Sequence, residues 1–180
     1  MYRISYTYQT GVYQQDKEFW ILKSTIIVLI VASLSDVVYH VMMNNIGKIP
    51  NVLIYLPRAV YHIGLFIILW LFVFYMKEPL HLDGRWDKKY EIIATTGLAV
   101  IILYEITESV THIGFYITES GEVHRGFLIF PIAEIFFVGI VGYAMIKNRN
   151  RIYKQIILCV ADTIGISIFI LIIQGLHKIG

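Results

Sequence analysis

Residues 19–43 read FWILKSTIIVLIVASLSDVVYHVMM, a run broken only by Lys23, Asp36 and His40 among side chains that can carry charge. At 1.5 Å of rise per residue it is long enough to cross a hydrocarbon core of about 30 Å. Inside lipid only a helix satisfies every backbone N–H and C=O of such a run. Four further stretches have the same character: 52–76, 92–118, 127–146 and 155–176. The connections between them are short, so none of them holds a separate soluble domain.

Composition agrees. Apolar residues make up 57% of the 180, and charged residues 16%, against roughly 25% charged in ordinary soluble proteins. A chain of this size cannot hide that much apolar surface in a globule, which excludes a soluble enzyme. Disorder is excluded as well, because it requires low hydrophobicity and high charge. The net charge of +2 is too small to imply nucleic acid. Cys159 is the single cysteine, so the chain has neither an intrachain disulfide nor a cysteine-based metal knuckle. The expected fold is all-α: a polytopic transmembrane helix bundle of five spans forming one domain over 19–180, preceded by a polar segment at 1–18.

A signal peptide is the competing reading of the first span, since Lys17 and Lys23 come before the apolar run and Ser33-Leu34-Ser35 passes as a cleavage site. The run continues through Val37, Val38, Val41, Met42 and Met43, which suits a full span. Orientation follows from the basic residues. Eleven lie on one side: Arg3, Lys17 and Lys23, then Lys77, Arg85, Lys88 and Lys89, then Lys147, Arg149, Arg151 and Lys154. Lys48, Arg125 and Lys178 lie on the other. The N-terminus, with residues 1–18, is therefore expected in the cytoplasm. The basic loop 77–91 is expected to rest on anionic headgroups.

Ionisable side chains inside a bilayer cost roughly 2.5–3.5 kcal/mol each on insertion scales, which makes each a functional candidate. Here they are Asp36 and His40 in span one, Arg58 and His62 in span two, Glu105, Glu108 and His112 in span three, Glu134 in span four and Asp162 in span five. All except Asp162 fall in the outer part of their spans, and so form one layer. Asp36/His40, Arg58/His62 and Glu108/His112 are i,i+4 pairs, each on one helix face. Four readings stay open. The layer can be structural, with Arg58 paired to Asp36 or a glutamate. It can line a pocket for a small ligand, using Asp36, Arg58, His62, Glu105, Glu108, His112, Arg125 and Glu134. It can hold a metal through His40, His62, His112, Asp36 and Glu108, or it can relay protons through the histidines. The metal signal is weak because no H-E-x-x-H helix is present, and no cofactor is otherwise expected. Nucleotide-binding and hydrolase motifs are absent too, so no catalysis is expected of this chain.

The stretch Phe115-Tyr116-Ile117-Thr118-Glu119-Ser120-Gly121-Glu122-Val123-His124-Arg125-Gly126-Phe127-Leu128 resembles the external turn in the multi-helix membrane regions that precede GGDEF diguanylate cyclase domains in many Firmicutes. Leu34-Ser35-Asp36 with Tyr39, Ile49-Pro50, Leu53-Ile54-Tyr55 and Ile173-Gln174-Gly175-Leu176 are similar to further segments of those regions. The resemblance covers about 34–180. It implies a sensory, signal-input domain in the bacterial cytoplasmic (inner) membrane, with a sixth helix and a cyclic di-GMP-forming GGDEF domain to follow; on that pattern the domain is expected to be truncated here. Phe127 and Asp162 stand where the family usually has proline. The partners this implies are the lipid bilayer, an unidentified small ligand, and a second copy or a GGDEF-containing chain, with no nucleic acid. An intramembrane metal-binding protein and a small proton-coupled transporter remain the alternatives.

Overall fold

The structure, a computed structural model, describes residues 3–77, 79, 80, 84–118, 122–125, 129–150, 152, 154, 155, 157, 158, 160–162 and 165. Among these, α1 (Arg3–Met43), α2 (Asn51–Met76), α3 (Gly84–Thr111) and α4 (Ile129–Asn148) are helices, and β1 (Phe115–Ile117) pairs with β2 (Val123–Arg125). Four segments are long and apolar enough to cross a membrane: Phe19–Met43, Asn51–Met76, Lys88–Thr111 and Ile129–Asn148. Of the expected fifth span, 155–176, most lies outside the described residues, and the described positions from 154 onward are helical.

Successive helices run in opposite directions, so the turn at 44–50 and the hairpin lie at one end of the bundle. The chain segment joining α2 to α3 lies at the other. α2 is the hub, packing against α1, α3 and α4. One apolar core, built on Phe66, Val73, Ile101, Phe137 and Val141, fills the space between α2, α3 and α4. A second, smaller one lies at the hairpin end, where Ile54 and Tyr55 of α2 meet Phe115 and Ile117 of β1 over Tyr39, Met42 and Met43 of α1. Along the outside of α1, Trp20, Ile27, Ile30, Leu34, Val37 and Val41 are exposed. So many bare apolar side chains suit contact with a lipid bilayer.

One expectation needs correction. Helix three was expected to run to residue 118, but it ends at Thr111. His112 adopts φ 56°, in the left-handed region, and its N–H donates back to the Glu108 carbonyl at 2.8 Å. This is the single-bond left-handed helix cap, a conformation that histidine enters more readily than most side chains. Beyond it the chain is extended, and Phe115, Tyr116 and Ile117 pair with Arg125, His124 and Val123 in an antiparallel hairpin. The apolar run deceives because Phe115 and Ile117 are buried and Tyr116 between them is exposed. That alternation is a strand's, with period two.

Close approach of α1 and α2 rests on small side chains. A Cβ added to Gly64 would lie 2.8 Å from the Ala32 Cβ, which belongs to a nearly fully buried residue of α1. Helices in lipid lack a hydrophobic drive toward one another, and such small-residue contacts supply the packing instead. Gly64→Val should therefore force the two helices apart and cost about 1–3 kcal/mol. Gly139→Ala, where an added Cβ meets nothing within 4 Å, should leave stability within about 0.5 kcal/mol. Thermal unfolding of both variants in detergent checks the difference.

Candidate functional site: a buried charge cluster under the hairpin

Arg58 projects from the second turn of α2 into the bundle and is 8% exposed. Its Nη1 and Nη2 donate to Oε2 and Oε1 of Glu108, both at 3.3 Å, in a two-pronged contact. Nη1 also lies 3.5 Å from Glu105 Oε1. His62, one turn along α2, places Nδ1 2.8 Å from the same Glu105 oxygen. At that distance a proton sits between the imidazole nitrogen and the carboxylate. Glu105 is fully buried and Glu108 nearly so. Helical spacing explains the arrangement: Arg58 and His62 are four apart on α2, Glu105 and Glu108 three apart on α3, and the two faces meet.

The hairpin closes over this cluster. The Phe115 ring lies 4.3 Å from the Arg58 guanidinium carbon, a cation–π contact, and packs edge-on against Tyr55. The Tyr55 hydroxyl accepts the Ile117 N–H at 3.1 Å, and its ring stacks on His112 at 4.0 Å. Gly114 passes close over the cluster, where an added Cβ would lie 2.8 Å from Glu108 Oε1 and displace that carboxylate. Arg58 thus touches α3 and the hairpin together.

Buried polar atoms are left over. Glu105 Oε2, Ser109 Oγ and His112 Nδ1 have no hydrogen-bond partner among the described residues. Glu105 and Ser109 lie one turn apart on α3, and His112 follows just past its end. Each unsatisfied buried polar group costs about 1–3 kcal/mol, which a small hydrogen-bonding molecule would relieve.

The other candidates are placed as follows. Asp36 and His40 are not brought to Arg58; they contact one another at 3.5 Å along α1, where His40 is exposed and Asp36 half-buried. Glu134 is buried on α4. Like Arg58 and Glu105, it sits some 8–11 Å in from its helix end by axial rise. The backbone of Arg125 pairs with Phe115. Asp162 is exposed. His40 and Asp36 thus stand apart from His62, Glu108 and His112. Among the described residues no group of three or more His, Cys, Asp or Glu side chains is arranged to hold a metal ion. Phe115, Tyr55 and Gly114 escaped the reading of charged residues. The alternation in Phe115-Tyr116-Ile117 ahead of Ser120-Gly121 is the hairpin signal that points to them.

Compared with known proteins, no family model, curated protein or solved structure matches the chain.

Removing one partner of a buried ion pair strands the other. Arg58→Met leaves two buried carboxylates without their cation and should cost about 3–5 kcal/mol. Glu108→Gln keeps a hydrogen-bonding side chain of the same shape and should cost distinctly less. Unfolding free energies of the two variants in mixed micelles test this order.

Proposed function

We propose that this chain is a membrane-embedded sensory input domain, with the cluster beneath the hairpin as its receiving element. In this reading the chain lies in the bacterial cytoplasmic membrane with its N-terminus inside, so the hairpin faces outward, as the distribution of Lys and Arg favours. The observation that carries the reading is that Arg58 is held by the carboxylates of α3 on one side and covered by a hairpin ring on the other. Any change in the charge of those carboxylates alters the junction of α2, α3 and hairpin at once. Residues 115–128 resemble the external turn of diguanylate cyclase input regions, which supports a sensing role for this end.

The geometry also favours a class of signal. Arg58 is already engaged by two carboxylates, which disfavours an anionic ligand. With both carboxylates ionised and His62 neutral, the four side chains carry one net negative charge, and one proton or cationic group brings them to neutrality. A proton, or a small molecule bearing N–H or O–H donors toward Glu105 Oε2, Ser109 and His112, therefore suits the site. Glu134 on α4 adds a further buried carboxyl to the layer. Signalling requires that the bound species favour one helix arrangement over the other. The resulting displacement of α2 against α3 would pass to a cyclic di-GMP-forming output on the same or a partner chain. The His62–Glu105 contact favours a second reading, proton-coupled transport; flux into proteoliposomes under a pH gradient distinguishes it.

Tyr116 is exposed on the hairpin and provides the test. In a Cys159→Ser background, Tyr116→Cys should react with a membrane-impermeant maleimide added outside intact cells. The rate should change as the medium is acidified from neutral to about pH 5.5. Glu105→Gln should abolish the change. Labelling only after permeabilisation would reverse the orientation, and a rate indifferent to both pH and Glu105→Gln would remove the cluster as receiver.

A further inference from the structure

At the opposite end of the bundle α3 and α4 separate around a groove of about 380 Å³. Its walls are apolar, with Ile93 from α3 and Phe136, Gly139 and Ile140 from α4; Lys89 and Lys147 line it as well. Both lysines are exposed and stand where their spans end, Lys89 at the second residue of Lys88–Thr111 and Lys147 at the next-to-last of Ile129–Asn148. From Ile135, another lining residue, to Lys147 the axial length is about 18 Å, close to that of a phospholipid acyl chain.

We propose that this groove binds one anionic phospholipid, its acyl chain against Phe136, Gly139 and Ile140 and its phosphate between Lys89 and Lys147. The match is in charge and in position. Two ammonium groups lining one groove repel each other, and an anion between them converts that repulsion into two attractions. They sit at headgroup depth, while the apolar walls below them lie at acyl depth, so one amphiphile satisfies both. Free phosphate would satisfy only the lysines. Basic recesses between transmembrane helices take anionic headgroups for this reason, each lysine near the surface adding to the attraction. Gly139 keeps the wall open: nothing lies within 4 Å of the Cβ position, and a larger side chain would occupy the acyl path. This site is independent of the charge cluster at the hairpin end.

The experiment reconstitutes the full chain in nanodiscs of equal phosphatidylglycerol and phosphatidylcholine, then extracts it into mild detergent and quantifies the co-purifying lipid by native mass spectrometry. Phosphatidylglycerol should be enriched roughly tenfold among one-lipid complexes. K89Q/K147Q should erase the preference, whereas Lys48→Gln, at the other end of the bundle, should leave it intact. Gly139→Leu keeps both lysines and should reduce retained lipid of either kind severalfold; millimolar inorganic phosphate should not displace the lipid. Circular dichroism verifies that each variant is folded. Equal retention of the two lipids, or enrichment that survives K89Q/K147Q, overturns the proposal. So does a cysteine at position 139 that cross-links to a second copy while no lipid is retained.

Discussion

The contact between Arg58 and Glu108 is the constraint around which the hairpin end is organised. A guanidinium in a low-dielectric interior is tolerable only with its charge matched and its donors satisfied. Here a two-pronged carboxylate, a second carboxylate and an aromatic face do this together. Those partners come from α3 and from the hairpin, so meeting the needs of one side chain fixes how two other elements sit against α2. Buried ion pairs are weak sources of net stability compared with apolar side chains of similar size. Their contribution is to exclude arrangements in which a charge would be stranded, and this one excludes any sliding of α3 along α2 that parts Glu108 from Arg58.

The same logic explains why helix three stops early. A continuous helix to residue 118 would carry Phe115 and Ile117 past the cluster. The left-handed turn at His112 sends the chain back over it instead, and Gly114 lets it pass close above the Glu108 carboxylate. Phe115 then covers the guanidinium, while Tyr55 holds the Ile117 backbone and stacks on the turn itself. The hairpin is thus built from local strand pairing but anchored by α2. That dependence makes it a natural reporter of events in the cluster.

The two ends of the bundle have different chemistry. The hairpin end buries its charge and covers it. The other end keeps its lysines at the periphery, where α2 is tied to α3 by Lys77 and Glu91 and the end of α4 to Leu80 through Asn148. Between the ends, the core around Phe66, Phe137 and Val141 is built of apolar side chains, with Tyr90 at its edge. Among the described residues, charge sits where protein or interfacial water can solvate it, as the bilayer demands.

Hydropathy and axial rise are local properties, and what depends on them was legible in the sequence. The four described spans lie within a few residues of the apolar runs except at the end of α3, and the charged layer follows from counting 1.5 Å per residue along each helix. The i,i+4 spacing likewise showed that Arg58 and His62 share a face, as do Glu105 and Glu108. It did not show where those faces point. Rotation about a helix axis is decided by packing against other helices, so only the tertiary structure brought Arg58 to Glu108 and left Asp36 paired with His40 along α1. The break at His112 was decided in the same way. Residues 112–118 are apolar enough for helix, and the choice of strand came from what Phe115 and Ile117 could bury against Arg58 and Tyr55 across the fold.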